Sequence, residues 1–584
     1  MEEIKNLIDQ FNPENLNSVL RSKTRTFRQI NEPLTYLNDE QFSECILFGE
    51  FKLASEDEMV VVTIKVNKPL SERSGKKAQY TLGKKFLKDS QRYVGGFFIF
   101  YDDKGDFRFS LIYDIPLATG KRDWSNFRRY TYFVSKDQTN KTFIHQIAEA
   151  DFSSLEKIIE AFSVEKVTKQ FYDEIASWYF WAMDKVEFPD DEDKNRENRN
   201  AKNLIRLITR IIFIWFMKEK NLVPSSLFEK SFIDKIINYQ DKTGSTYYKA
   251  ILQNLFFATL NTKMKSDDEN SRIFISEAVK RGYISDAYLQ QGFYRYERFI
   301  RDKELFLQLF ANVPFLNGGL FESLDKKING TEIRIDCFSD NPKNETRLKV
   351  PDELFFLEEE TDTDLSKYLY KGKNKKVTGL LTILKKYNFT IDENTPIDQD
   401  VALDPELLGK VFENLLAAYV PETSTTARKA TGSYYTPREI VEYMVNESLI
   451  EHFKNVLNTN DKKVEENLRN LLDYSADENP FDEETTLKLI DAIENIKILD
   501  PACGSGAFPM GVLHKLVLAL HKLDPENKIW KQRLLNRVPT EIRSETEQSL
   551  QNKSIDYIRK LGLIENCIYG VDIQEIAIQI SKLR

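Results

Sequence analysis

The hydrophobic and polar positions of the first 150 residues change in short runs, a pattern that is typical of strands. Four runs are apolar or alternating, and charged residues or turn-forming residues bound each of them. The predicted strands are Cys45–Leu53, Met59–Val66, Gly95–Tyr101 and Phe107–Tyr113, with a basic helical stretch, Ser74–Arg92, between the second and the third. We therefore expect an α/β domain over residues 1–150.

From residue 151 to residue 430 the spacing of apolar residues becomes helical. Ala201–Lys220 repeats apolar residues at helical spacing and is predicted to be a core helix. Asp404-Pro405-Glu406 is typical of a helix start, because proline fits the first helical position and an acid favours the positive end of the helix dipole. It predicts a helix over Glu406–Ala418. This region is therefore predicted to be a helical connector domain.

A third segment, residues 431–584, combines helices with two short apolar runs around a glycine-rich turn. The predicted order is a helix (Arg438–Phe453), a strand (Ile496–Leu499), the glycine turn, a helix (Phe508–Leu523), a charged helical insertion (Trp530–Leu561), a strand (Cys567–Val571) and a helix from about Gln574. A strand, a glycine turn, a helix and a second strand form the first half of a doubly wound sheet. The predicted fold class is therefore α/β with several domains.

The composition is that of an ordinary globular protein, with 41% hydrophobic and 30% charged residues. No segment approaches the roughly 20 apolar residues of a membrane span, and the N-terminal sequence does not resemble a secretory signal. The four cysteines lack the spacing of a metal site, and only four histidines are present. We expect a reduced, cytoplasmic protein without a metal site of this kind. The net charge of −9 argues only weakly against nucleic acid, because local clusters of cations decide such binding.

The glycine turn holds the most informative chemistry. Its sequence, from the end of the strand, is Asp500-Pro501-Ala502-Cys503-Gly504-Ser505-Gly506-Ala507-Phe508. Glycines permit a tight turn and a close approach of a ligand to the unpaired N–H groups of a helix N-terminus. A dinucleotide places its pyrophosphate there, but the carboxylate of Asp500 would repel it. An ammonium or sulfonium group suits that carboxylate, so a cationic amino-acid nucleoside is the predicted ligand.

A second acid, Asp572, follows the next predicted strand and would accept the ribose hydroxyls of an adenosine. It lies farther along the chain than the usual offset of about 20 residues, so the insertion must account for the excess. Asp500 and Asp572 have a structural alternative, which is to cap the helices that follow them. Cys503 is expected to be a small packing residue and not a nucleophile.

The sequence D-P-A-C-G-S-G-A-F resembles the first motif of adenine-specific DNA methyltransferases. T-G-S-Y-Y-T-P, at residues 431–437, resembles their tenth motif, and Y-G-V-D-I, at residues 569–573, resembles their second. The resemblance implies S-adenosylmethionine as cofactor and the start of a class I Rossmann-like methyltransferase sheet. It also implies that Thr436 and Pro437 touch the methionine end, that Asp500, Ala502, Gly504, Gly506 and Phe508 wrap the cofactor, and that Asp572 and Ile573 hold ribose and adenine.

The catalytic loop of that class reads Asp, Asn or Ser followed by Pro-Pro and Tyr or Phe, and the chain contains no such tetrapeptide. The catalytic residues are therefore unknown, and strands three to seven of the sheet and a target-recognition domain are also not found. We expect either a fragment of a longer protein or one half of a split enzyme that a second chain completes. Methyl transfer by this chain alone is not expected.

The overall arrangement resembles type IIG restriction–modification enzymes, which join a nuclease-like domain, a helical connector, a methyltransferase and a recognition domain. The segments Gly409–Leu415 and Leu316–Phe321 resemble parts of that connector. A nuclease of this kind needs carboxylates that bind Mg²⁺ and a nearby lysine. Glu50, Lys52 and Lys65 are the candidates, but Thr63 stands where a second acid is needed. An inactive nuclease-like fold is thus an open alternative.

Double-stranded DNA is the partner that these resemblances imply. Three basic runs with interleaved aromatic residues, Arg21–Arg28, Arg73–Lys88 and Lys121–Arg129, would suit a DNA backbone, although a solvated helix face would look the same. The predicted function is adenine methylation of DNA in a restriction–modification or phage-defence system. The alternatives are methylation of RNA or protein, a cofactor- and DNA-binding subunit without catalysis, and a Mg²⁺-dependent DNA endonuclease that the cofactor regulates.

Overall fold

The structure is a computed structural model that describes the chain apart from several short segments. It covers residues 1–584 except 72–74, 117–119, 123, 125, 263–271, 282–291, 317–318, 369–373, 391–393, 396, 419–435, 477 and 552, and except the side chains of 408, 412, 414, 416–418, 575–576 and 583. It divides into an N-terminal unit (Met1–Asn317 and Phe321–Leu407) and a C-terminal unit (Gly318–Leu320 and Leu408–Arg584). The α/β multidomain class is confirmed. The three-domain division stays a prediction.

A mixed sheet of seven strands forms the framework of the N-terminal unit. Its strands are β1 (Arg28–Pro33), β2 (Phe42–Lys52), β3 (Glu58–Val66), β4 (Gly95–Tyr101), β5 (Phe107–Asp114), β6 (Phe127–Val134) and β11 (Asp398–Asp400), in the order β1-β2-β3-β4-β5-β6-β11. The β3–β4 and β6–β11 pairs are parallel, and the other pairs are antiparallel. The four strands predicted from the apolar runs are therefore present, with ends that shift by at most three residues.

Burial explains why the central strands read as continuous apolar runs. Both faces of β4 are covered, and Phe97, Phe98, Ile99 and Phe100 are all fully buried. Helix α3 (Lys76–Ser90) packs on one face of β4 and β5, where a side-chain carbon at Gly83 would lie 2.3 Å from Ile112. A strand that is covered on both sides loses the alternation of polar and apolar residues.

The last strand of the sheet comes from a distant part of the sequence. β11 pairs with β6 from Asp398 opposite Arg129 to Asp400 opposite Thr131. The Arg129 side chain is fully buried and donates hydrogen bonds of 2.8 and 2.6 Å to the two carboxylate oxygens of Asp398. This charge-assisted pair closes the edge of the sheet. Neither β6 nor β11 was predicted from the sequence.

The rest of the N-terminal unit is mostly helical. Its helices are α1 (Glu2–Asp9), α2 (Pro13–Lys23), α4 (Lys141–Glu149), α5 (Leu155–Glu160), α6 (Val164–Lys185), α7 (Arg196–Glu219), α8 (Lys230–Ile236), α9 (Ile275–Lys280), α10 (Lys303–Ala311), α11 (Glu353–Phe356) and α12 (Leu380–Leu384), with a π-helix over Tyr248–Leu260. Two hairpins accompany them, β7 (Lys326–Ile328) with β8 (Thr331–Ile333) and β9 (Thr361–Asp364) with β10 (Asn374–Val377). The predicted core helix is α7, whose apolar side is buried.

The C-terminal unit places helices around a two-stranded parallel sheet. Helix α13 (Glu406–Ala418) leads into it, and its further elements are α14 (Arg438–Leu457), α15 (Lys462–Leu471), α16 (Glu483–Asn495), β12 (Ile498–Asp500), α17 (Ala507–Leu523), α18 (Lys528–Arg537), α19 (Thr540–Gln551), α20 (Ile555–Asn566), β13 (Ile568–Gly570) and α21 (Glu575–Leu583). The predicted insertion consists of α18 to α20, and it contributes Trp530, Ile558 and Leu563 to the same core as α14 and α17. It is therefore part of the packed unit and not a surface excursion.

Among the helices that the structure describes, none is both long enough and apolar enough to cross a bilayer.

Candidate functional site

The strand tips of the C-terminal unit bring the two predicted aspartates together. β12 and β13 run parallel with Asp500 opposite Gly570, and Asp572 follows two residues after that partner. The backbone continues the pairing past the strands, because Val571 N–H donates to the Asp500 carbonyl at 2.9 Å and Cys503 N–H donates to the Val571 carbonyl at 2.9 Å. The glycine loop is thus bonded directly to the segment that carries Asp572.

The two glycines of the loop are needed for its shape. Gly504 has φ +53° and Gly506 has φ +89°, in the left-handed region that other residues rarely adopt. A side-chain carbon at Gly506 would also lie 2.5 Å from the hydroxyl of Ser581 on α21. Gly506 is the N-cap of α17 and has no side chain to bond the helix. The first N–H groups of that helix therefore remain available to a ligand.

The aspartates hold the loop through backbone hydrogen bonds. Asp500 Oδ1 accepts from the N–H of Ala502 at 3.1 Å. Asp572 Oδ2 accepts from the N–H of Gly504 at 2.9 Å, and its Oδ1 accepts from the N–H of Gln574 at 2.7 Å. Asp572 therefore bonds Gln574, the residue before α21, and also fixes the loop. A carboxylate oxygen has a second lone pair, so these bonds leave room for a ligand hydroxyl.

A glutamate from α13, a helix that was predicted only as part of the connector, lies against the loop. Glu413 Oε1 accepts a hydrogen bond of 2.7 Å from Ser505 Oγ and lies 3.5 Å from the position of a side-chain carbon at Gly504. Arg584 donates to the Ser505 carbonyl at 3.2 Å. Burial raises the pKa of the Glu413 carboxyl, although hydrogen bonds from Ser505 and the charge of Arg584 act in the other direction. Sequence periodicity gave no signal for this contact.

The remaining predicted cofactor residues flank this loop along the chain. Ile573 is 89% exposed directly after Asp572, Ala502 is exposed in the loop, and Phe508 is half-buried on the first turn of α17. Thr436 and Pro437 directly precede α14. Helix α14 packs closely on α17, because a side-chain carbon added at Gly511 of α17 would lie only 2.4 Å from Val441 of α14. Thr431–Tyr435, the rest of the tenth-motif resemblance, lie outside the described residues, as do Asn317 and Gly318 of the connector segment.

Cys503 behaves as the small packing residue that was expected. It is buried, and a side-chain carbon at Gly570 would lie 2.9 Å from its sulfur. Burial raises the pKa of the Cys503 thiol, and the carboxylates of Asp500 and Asp572 raise it further. A thiol in such surroundings is a poor nucleophile, because the thiolate is the reactive form.

The structure separates Lys65 from the other two nuclease candidates. Glu50 is buried. One of its oxygens accepts a hydrogen bond from Tyr93 Oη at 3.0 Å and lies 3.0 Å from the Arg92 guanidinium, and the other accepts from Arg28. Lys52 is exposed and pairs with Glu56 at 3.3 Å. Glu50 lies opposite Val60 whereas Lys65 lies opposite Ser43, which separates them by about 17 Å along the hairpin.

Lys65 instead meets two other carboxylates. Its Nζ lies 3.1 Å from Glu44 Oε1 and 3.0 Å from Asp103 Oδ1. The hydrogen bonds from Asp103 and Glu44 raise the pKa of Lys65 to about 12. Sequence reasoning missed Glu44 because a bulge in β2 turns it towards Lys65, with φ +46° at Glu44. Among the residues that the structure describes, no group of three or more His, Cys, Asp or Glu side chains is placed so that it could hold a metal ion.

Several cations of the basic runs are engaged within the protein. Arg129 is buried against Asp398, Lys76 pairs with Asp400, and Lys23 donates to the carbonyl of Ala148. Trp124 and Tyr130 are half-buried. These cations stabilise the fold and are not free to track a DNA backbone. Arg73, Asp123 and Ser125 lie outside the described residues.

One comparison with known proteins gives a match. A protein of Methanocaldococcus jannaschii, named "Putative type II restriction enzyme and methyltransferase", is 25% identical over 447 residues, which cover 72% of this chain. The chain spans only 29% of that relative's length. No family model matches the chain, and no solved structure matches it.

Proposed function

We propose that the C-terminal unit binds S-adenosylmethionine at the glycine loop and that the chain is part of an adenine-specific DNA methyltransferase. The observation that carries the proposal is the hydrogen bond between Asp572 and Gly504, which joins the second strand tip to the loop. The loop motif that resembles these enzymes is therefore part of one bonded structure together with the second acid. The match to the relative named as a restriction enzyme and methyltransferase supports the DNA substrate.

The residues of the loop fit a cationic adenosine compound. Gly504 leaves open the space that a side chain would fill, and the carboxylates of Asp500, Asp572 and Glu413 gather negative charge around the loop. Asp572 and Ile573 would hold the ribose and adenine, and the loop from Asp500 to Phe508 would follow the methionine side. When bound, the cofactor supplies a methyl group activated by its sulfonium.

The protein's part in this reaction is to position the reactants, because a reactant that is already bound and oriented loses less entropy on reaching the transition state. Asp572 and the Ser505–Glu413 bond fix the loop, and α17 and α14 anchor its two sides through the packing of Gly511 on Val441. The group that orients the adenine amino nitrogen is not assigned to a residue, because the chain has no Pro-Pro-Tyr or Pro-Pro-Phe loop.

Calorimetric titration with S-adenosylmethionine tests this proposal. The wild-type chain should bind one equivalent, and Asp572→Ala should weaken binding about tenfold or more, because a hydrogen-bonded carboxylate is lost at the site. Asp482→Ala is the matched control. Asp482 also accepts a backbone N–H, from Thr485 at 2.8 Å, but it caps the far end of α16.

The control variant should bind the cofactor as the wild type does. Thermal unfolding of both variants checks that the unit remains folded. Equal losses of affinity in Asp572→Ala and Asp482→Ala would mean that the site is elsewhere, and no binding by the wild-type chain would overturn the proposal.

A second proposed activity is Mg²⁺-dependent cleavage of DNA by the N-terminal unit. The printed name of the relative, which includes a type II restriction enzyme, favours it, and Lys65, a predicted nuclease residue, contacts the carboxylates of Glu44 and Asp103. Lys65→Ala should then abolish cleavage of plasmid DNA, and Lys68→Ala, a change to an exposed lysine just after β3, should not. Cleavage that survives Lys65→Ala would contradict this assignment.

A further inference from the structure

Glu413 carries a buried carboxylate oxygen without a hydrogen-bond donor. The residue is 8% exposed, and its Oε1 is bonded to Ser505 Oγ. Its Oε2 is buried as well, and no donor among the described residues reaches it. Leaving such an oxygen unsatisfied is costly, and proteins seldom do so without a reason. The missing donor therefore needs an explanation.

The position of Glu413 indicates where the donor comes from. Oε1 lies 3.5 Å from the place that a side-chain carbon at Gly504 would occupy, so the carboxylate borders the opening that this glycine leaves. Asp500 and Asp572 bond the two sides of the same loop. A ligand that approaches the backbone at Gly504 thus comes next to a third carboxylate.

We propose that the Glu413 carboxylate, whose Oε1 borders the Gly504 opening and whose Oε2 lacks a donor, accepts a hydrogen bond from the α-ammonium group of the cofactor's amino-acid portion. The inference rests on the proposed function and adds a specificity residue to it. An ammonium group offers three donors and a positive charge, and it satisfies a buried carboxylate better than a hydroxyl does. The ribose hydroxyls are left to Asp572, which follows the second strand.

The test removes the ammonium group from the ligand and the charge from the protein. S-adenosylhomocysteine has the ammonium group without the sulfonium, and 5′-(3-carboxypropylthio)adenosine lacks only the amino group. The wild-type chain should bind the first about ten- to a hundredfold more tightly than the second. Glu413→Gln should lose most of that preference by weakening S-adenosylhomocysteine alone, while the affinity for the deaminated ligand stays within about twofold of wild type.

Glu447→Gln, which changes an exposed glutamate of α14, is the control and should keep the wild-type preference. Equal weakening of both ligands by Glu413→Gln would show that Glu413 only shapes the loop, and would overturn the inference. A wild-type chain that does not distinguish the two ligands would overturn it without any variant. Failure of the wild-type chain to bind either adenosine ligand would instead reject the proposed function itself, and this inference with it.

Discussion

Asp572 and Gly504 are joined by a hydrogen bond of 2.9 Å, from the glycine N–H to Oδ2 of the aspartate, although 68 positions separate them in sequence. The helices α17 to α20 occupy most of that separation, so the bond depends on the fold of the whole unit. Asp572 also bonds Gln574 at 2.7 Å. The Asp572 side chain therefore fixes the conformation of both the glycine loop and the residue before α21, so a single acid joins the two segments of the site.

The two loop glycines should respond differently to an added methyl group. Gly504→Ala adds only left-handed strain, because the nearest atom to its new carbon is Glu413 Oε1 at 3.5 Å, and should cost about 1 kcal/mol of unfolding free energy. Gly506→Ala adds the same strain and a clash with the Ser581 hydroxyl at 2.5 Å. We expect it to cost a further 1–3 kcal/mol or so, measured by urea unfolding.

The second substitution Ser581→Ala provides the control for that clash. It removes the nearest hydroxyl and should recover part of the loss in Gly506→Ala while it does little to Gly504→Ala. Equal losses for the two glycine variants, with no recovery, would mean that Gly506 does not approach α21 as the structure has it.

The titration of Glu413 should make stability depend on pH. Because burial and the nearby charge of Asp572 raise the pKa of Glu413 in the folded protein, its stabilising contribution is complete below the unfolded pKa and is lost as the pH rises through the folded pKa. Arg584 and the hydrogen bonds from Ser505 reduce the effect without reversing it. Glu413→Gln should therefore raise the melting temperature at pH 7 to 8.

That gain should shrink as the pH falls towards the ordinary pKa of a glutamate, about 4.3. Melting curves of wild type and Glu413→Gln from pH 4 to 8 measure it. If Glu413→Gln is more stable at neutral pH and yet binds the amino ligand less well, Glu413 behaves as a binding residue. Residues that serve binding often reduce the stability of the protein. A melting-temperature difference that grows on acidification would contradict a raised pKa at Glu413.

The pair formed by the buried Arg129 and the half-buried Asp398 should matter for folding and not for contact with DNA. Arg129→Ala leaves Asp398 without its partner and should cost about 3–5 kcal/mol in unfolding free energy. Arg128→Ala, which changes the half-exposed neighbour on β6, should cost less than about 1 kcal/mol. Chemical unfolding of the two variants makes the comparison. Similar small effects for both would show that Arg129 lies at the surface.

Sequence reasoning succeeded where the signal was local. The apolar run Gly95–Tyr101 is β4 without change, and the loop from Asp500 to Phe508 lies between a strand and a helix as predicted. It failed where a distant partner decides the structure. β11 has three polar residues and is a strand only because β6, more than 260 residues earlier, pairs with it.

The same limit applies to the sites. Asp500 and Asp572 were predicted at adjoining strand tips, because parallel strands end at one edge of a sheet, and the register of β12 and β13 agrees. Glu413 and Glu44 were not predicted as site residues. Glu413 reaches the loop from a separate helix. Glu44 is turned towards Lys65 by a bulge that the sequence pattern does not predict.

Hydrogen–deuterium exchange with saturating S-adenosylmethionine measures where the cofactor binds, and so tests the central claim most directly. The account predicts slower exchange in peptides that cover residues 500–508 and 568–574, because a ligand at the loop shields the N–H groups there, and unchanged exchange in β2 and β3. Binding that leaves both of those peptides unchanged, or protects only peptides of the N-terminal unit, would contradict it.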